Sequence, residues 1–159
     1  MCRNVVVILS FTFCLISVSH SQNFSSSTSY QLGKNAEYYG VSLSKWLYTW
    51  NNDKVILRGT ASYLIGNNNV NSSEFFNYNR IEFGLDSRNT MVTGKDFFNI
   101  INVSYIISKY QDNQQKTIKD NGWMYAIGFG TKLTSPIIVS TSYVFGMYKG
   151  IRVSFGFDF

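Results

Sequence analysis

The 159-residue sequence holds one proline, two cysteines and one histidine. Charge is scarce too: Asp, Glu, Lys and Arg make up 14% of the chain, against roughly 25% in an ordinary soluble domain. Both cysteines, Cys2 and Cys14, and the histidine, His20, fall within the first 21 residues. Beyond that point the chain has no thiol and no imidazole. That excludes disulfide staples, thiol nucleophiles, histidine bases, Ser-His-Asp triads and the usual zinc sites. Basic residues are scattered singly, so no nucleic-acid patch forms. What the chain does have is aromatic: 13 Phe, 11 Tyr and 3 Trp, within a hydrophobic content of 45%. So much apolar surface with so little charge suits a packed structure that faces something other than water.

The N-terminus reads as a secretory signal. Arg3 supplies a positive charge, Val5 to Val18 is a short apolar run, and Ser19-His20-Ser21 places small residues before a cut at Gln22. The run is shorter than the roughly 20 residues of a membrane-spanning helix. Phe13 fits poorly before Cys14 as a lipoprotein cut. The expected organisation is a signal peptide over 1–21 and one domain over 22–159, with 13 basic and 9 acidic residues.

The domain alternates apolar and polar residues in segments of about ten, separated by Asn, Asp, Gly and Ser, with no sustained helical period. Ile151, Val153, Phe155, Phe157 and Phe159 fall on one face of the last segment, and Arg152, Ser154, Gly156 and Asp158 on the other. Segments 54–65, 75–86, 98–109, 122–133 and 137–148 repeat the theme. Segment 38–50 is blurred by Lys45 and Trp46, and 24–33 is the weakest. Connections at 51–53, 87–96 and 134–136 share one side of an up-and-down sheet. Longer ones at 66–73 and 110–121 share the other, with the tight 148–150 as the exception.

Both a membrane barrel and a soluble lipocalin-like barrel alternate in this way. The two differ in where the apolar face points. Here the polar face is mostly Ser, Thr, Asn, Gly and Ala, too small and uncharged for a water-facing exterior. The apolar face is too bulky to fit inside eight strands. The expected fold is therefore all-β: an antiparallel up-and-down transmembrane β-barrel of eight strands in a bacterial cell outer membrane. Whether one chain closes it or two combine stays open. Trp46, Tyr48, Trp50, Tyr63, Trp123 and Tyr143 are the candidate aromatic girdle at the lipid interfaces.

The terminal Phe155-Gly156-Phe157-Asp158-Phe159 resembles the C-terminal signature of bacterial outer-membrane proteins. That resemblance makes Ile151, Val153, Phe155, Phe157 and Phe159 a candidate signal for the barrel-assembly machinery. Residues 122–159 also resemble the end of the bacterial surface antigen family and of the barrels attached to patatin-like phospholipases. The match rests on Gly128-Phe129-Gly130-Thr131-Lys132, the turn Thr134-Ser135-Pro136-Ile137, Tyr143 and the closing aromatics. It covers about a quarter of the chain. Ile138-Val139 stand where the family often has Gly-Pro, and the phospholipase Gly-x-Ser-x-Gly motif is absent. The resemblance implies a narrow transport or translocation barrel as an alternative function.

Turning the polar faces inward gathers Arg58, Arg80, Glu82, Asp86, Lys132, Arg152 and Asp158 into one lumen. Buried charges must pair, so this set is expected to be a structural charge network. Glu82 and Asp86 lie roughly 13 Å apart by strand rise, too far for the paired carboxylates of acid–base catalysis, which need about 5–9.5 Å. The sequence therefore points to no enzyme and no cofactor. Asn23, Asn71 and Asn102 begin Asn-x-Ser triplets. Asn102 lies inside a strand segment, and Asn is abundant enough for chance to supply them. Outer-membrane lipid and the assembly machinery are the expected partners. The polar loop 110–121 is the expected place for a surface partner.

Overall fold

The computed structural model describes residues 24–33, 36–50, 54–68, 75–90, 96–112 and 116–159. The expected signal peptide lies outside them. Alternating sequence becomes extended backbone, because a strand sends successive side chains to opposite faces and each face can then meet one solvent. Eight strands form: β1 (Phe24–Gly33), β2 (Ala36–Trp50), β3 (Val55–Asn68), β4 (Phe75–Thr90), β5 (Phe97–Asp112), β6 (Thr117–Thr134), β7 (Ile137–Gly146) and β8 (Gly150–Asp158). Each pairs antiparallel with its neighbour in sequence, and β1 pairs with β8 to close the barrel. Closure leaves no unpaired sheet edge. Phe24 and Phe159 exchange backbone hydrogen bonds of 3.3 and 2.8 Å at the seam, so one chain closes the barrel alone. The end holding this seam is called the terminal end here, and the opposite one the far end.

The faces divide as the alternation requires. Phe129 is 63% exposed, with Ile127, Tyr125 and Trp123 beside it on the outer face of β6. On the inner face, Met124 is fully buried and Ala126 nearly so. The interior is tight. A Cβ at Gly130 would lie 2.6 Å from the Phe98 ring, so only glycine admits that aromatic side chain. Gly146 has φ of 105°, a conformation that suits glycine. It ends β7 and turns Met147 and Tyr148 back toward the barrel.

Three departures from the sequence reading have local causes. First, the register slips between Trp46 and Tyr48. A bulge inserts one extra residue and resets the alternation. Leu47 and Tyr48 are both exposed, and Trp46 turns inward. Second, the polar stretch 110–121 is largely strand, with Tyr110 opposite Ile118 and Gln111 opposite Thr117. Polar side chains do not prevent pairing, because the ladder is made by the backbone. The β5–β6 connection narrows to 113–116. Third, β4 runs on through Thr90, so Arg88 belongs to the barrel wall rather than to a turn.

Replacing Gly130 by Val should lower the unfolding midpoint of the refolded barrel in a urea titration by an amount equivalent to about 1–3 kcal/mol. Gly59→Ala should not, since a Cβ there meets Leu47 at an ordinary 3.4 Å.

Candidate functional site: a charge network across the lumen

Four charged residues project inward from one strand. Arg80, Glu82, Asp86 and Arg88 occupy alternate positions of β4 around Gly84, and all are buried. A single strand face thus carries the order plus, minus, gap, minus, plus. Its partners come from the opposite wall. In a ring of eight strands, β4 and β8 are diametrically opposed.

Toward the far end, Glu82 Oε1 accepts from Arg80 and from Arg152 of β8, both at 2.8 Å. Gln31 Oε1 of β1 accepts from the same two guanidiniums, at 2.6 Å from Arg80 and 2.8 Å from Arg152. Arg80 is fully buried and lies between two tyrosine rings, 4.2 Å from the Tyr38 centroid and 4.9 Å from that of Tyr148. Cation–π contact of this kind is stronger where water is excluded. Tyr148 also shares a 2.8 Å hydrogen bond with Ser108. Burial raises the Tyr148 phenol above its ordinary range, against the opposing effects of Ser108 and the Arg80 charge. Around this cluster, Tyr38 and Leu64 on one side and Ile106, Met124 and Val144 on the other fill the lumen with apolar side chains, Leu64 standing opposite Arg80 and Ile106 opposite Glu82.

Toward the terminal end a second cluster forms. Arg58 of β3 grips Asp86 with two guanidinium nitrogens, one of them Nε at 2.8 Å from Oδ1. Arg88 reaches across to Asp158 of β8, and Arg58 stands 3.9 Å from the same carboxylate. The Arg88 guanidinium lies 4.3 Å from the centre of the Phe98 ring. Between the two clusters is a small void of about 90 Å³ walled by serines, Thr60 and Asn102. A wider cavity of about 310 Å³ opens at the terminal end, lined by Trp46, Ile56, Phe98 and Lys132 among others.

The structure thus joins Arg58, Arg80, Glu82, Asp86, Arg152 and Asp158 in ion pairs. Lys132 is a correction to the expected set. It sits at the terminal mouth, and no ion pair of the described residues includes it. The sequence reading missed Arg88. Extending the period of two beyond Asp86 would have found it. Trp46 is likewise corrected, since the bulge moves it from the expected girdle to the lumen wall. Tyr48, Trp50, Tyr63, Trp123 and Tyr143 all lie on the exterior. Tyr48 and Trp50 pair near the terminal end, with centroids 5.6 Å apart. Nearer the far end, Trp123 meets Tyr105 at 5.4 Å. Ile151, Val153 and Phe155 are exposed on the outer face of β8, while Phe157 packs edge-on against Phe155. Among the described residues, no group of three or more His, Cys, Asp or Glu could hold a metal.

No protein-family model matches the chain, and no curated protein matches its sequence. Solved structures do match its fold. The N-terminal β-barrel domain of Pseudomonas aeruginosa OprF superposes with a TM-score of 0.64 at 14% identity, covering 87% of this chain and 98% of that one. Neisserial surface protein A gives 0.54 at 6% identity, over 86% and 95%. Ail, the attachment invasion locus protein of Yersinia pestis, gives 0.52 at 10% identity, over 87% and 99%. The chain has the fold of the small eight-stranded outer-membrane barrels.

Glu82 is the hinge of the far cluster, since two buried guanidiniums share it. Glu82→Gln should cost about 3–5 kcal/mol of unfolding free energy by leaving buried charge uncompensated. Lys132→Gln should stay within about 0.5 kcal/mol. Urea titrations of the refolded variants measure both.

Proposed function

We propose that this chain is an integral outer-membrane β-barrel of a diderm bacterium, with a structural or surface-interaction role and no catalytic one. The observation that carries this reading is the inverted arrangement of the barrel. Ion pairs and small polar residues lie inside, while Leu85, Ile101, Ile127, Phe129, Tyr143 and Phe155 are roughly half exposed or more on the outside. A water-soluble barrel reverses that order, so the lipocalin-like alternative loses its footing. Closed antiparallel pairing also leaves no sheet edge among the described strands, and hydrocarbon demands paired backbone groups. The matched barrels, one of them a surface protein by name, support the same reading at the level of fold.

The lumen argues for a brace rather than a conduit. Two ion-pair clusters cross it, the far one packed among apolar side chains, and the void between the clusters measures only about 90 Å³. The likeness of residues 122–159 to surface-antigen barrels keeps a translocation role as the second reading. Insertion would then follow export by the signal peptide over 1–21, with the β8 aromatics read by the barrel-assembly machinery. A surface partner would meet the region 110–121, whose described part is the paired ends of β5 and β6.

The chain expressed from Gln22 and refolded in detergent should migrate differently on a gel before and after boiling, as a closed barrel does. In planar bilayers it should give no discrete conductance steps. A protein that is soluble without detergent and shows no mobility shift would overturn the membrane reading. Regular conductance steps would favour the translocation reading instead.

A further inference from the structure

On the outer wall one charge stands where the surrounding surface is apolar. Lys45 is exposed on β2, facing away from the lumen, opposite Phe24 of β1 and Gly59 of β3. Among the described residues, the other outward charges on the strands are Glu37, Lys109 and Lys119. All three lie near far-end turns, beyond the level where Trp123 meets Tyr105. Lys45 lies instead within the apolar band, a few residues above Tyr48 and Trp50. No ion pair of the described residues includes it. Its ammonium is 5.7 Å from the centre of the ring of Phe24, the first residue of β1.

A groove starts at this lysine. About 380 Å³ of open space runs along the wall over β1 to β4, from Phe24 and Lys45 past Leu43, Gly59 and Ala61 to Phe83. Its floor is low because the successive outward residues of β3 here are Gly59, between Lys45 and Leu85, and Ala61, between Leu43 and Phe83, where the rest of the outer wall carries Phe, Tyr, Ile and Leu. It is apolar along its length and cationic only at its terminal end.

We propose that this groove binds one anionic glycerophospholipid of the leaflet on the side of the chain termini. One acyl chain would lie over Ala61 between Leu43 and Phe83, passing Gly59 on the side that Leu47 leaves open. The phosphate would meet the Lys45 ammonium as it snorkels toward the headgroups. The inference rests on the membrane reading given above. Charge complementarity selects the occupant: a lone lysine on a lipid-facing wall is costly, and an anionic headgroup offsets that cost. Short turns face the periplasm in such barrels, which places the site in the inner leaflet.

Native mass spectrometry of the refolded chain, released from detergent micelles doped with phosphatidylglycerol or phosphatidylcholine, tests the site. The same samples are checked for the boiling-dependent gel shift. Wild type should retain one phosphatidylglycerol in preference to phosphatidylcholine. Lys45→Gln should weaken that retention about fivefold, the worth of one lysine near an anionic surface. Ala61→Phe should abolish it by filling the groove, and Lys109→Gln at the far rim should leave it unchanged. Equal retention by wild type, Lys45→Gln and Ala61→Phe, with the gel shift intact in all, would overturn the lipid site alone. Equal retention of the two lipids would do the same. Loss of the gel shift in wild type would overturn the membrane reading, and the lipid site with it.

Discussion

The pairing of β4 with β8 through charge is the interaction on which the interior depends. Eight strands enclose a space that side chains just fill, so whatever enters must be compact and mutually satisfied. Arg152 meets Glu82, and Arg88 meets Asp158, each across the full width of the barrel. These contacts tie opposite walls, whereas the backbone ladder ties only adjacent ones. A buried pair is weak evidence for net stability, but a broken one is expensive. The network therefore specifies how the walls face each other more than it adds to the folding free energy.

The rest of the architecture accommodates that network. Small residues, such as Ser25, Ser104 and Gly156, occupy inward positions around it, leaving room for long guanidinium side chains. Tyr38 and Tyr148 close over Arg80 from a strand and a turn, and the positive φ of Gly146 lets that turn fold inward. With polarity spent on the lumen, the outer wall is free to be apolar. Within the apolar band Lys45 is the exception among the described residues, and its position beside a shallow groove gives the exception a chemical sense.

Much of this was legible in the sequence because a period of two is a direct imprint of the two faces of a strand. The eight segments, their antiparallel order, the outward aromatics and six of the seven lumen charges follow from that period alone. Trp46 could not be placed so, because a bulge breaks the alternation without leaving a composition signal. Arg88 was hidden by treating Ser87 and Asn89 as turn residues, although polar strands pair as readily as apolar ones. The same bias made a loop of 110–121. The pairing partners across the lumen are set by strand stagger, which no local pattern encodes.

The central claim is that the outer face of the wall meets lipid while the inner face carries the charge network. The chain beyond residue 21 has no cysteine, so single-cysteine variants along β6, from Trp123 to Thr131, can be spin-labelled cleanly in bilayers. Collision rates with oxygen, which concentrates in hydrocarbon, should then rise and fall with a period of two. They should be high at residues 123, 125, 127 and 129 and low at 124, 126 and 128. Uniform rates along the strand, or high collision with a water-soluble reagent at residue 127 or 129, would contradict the account.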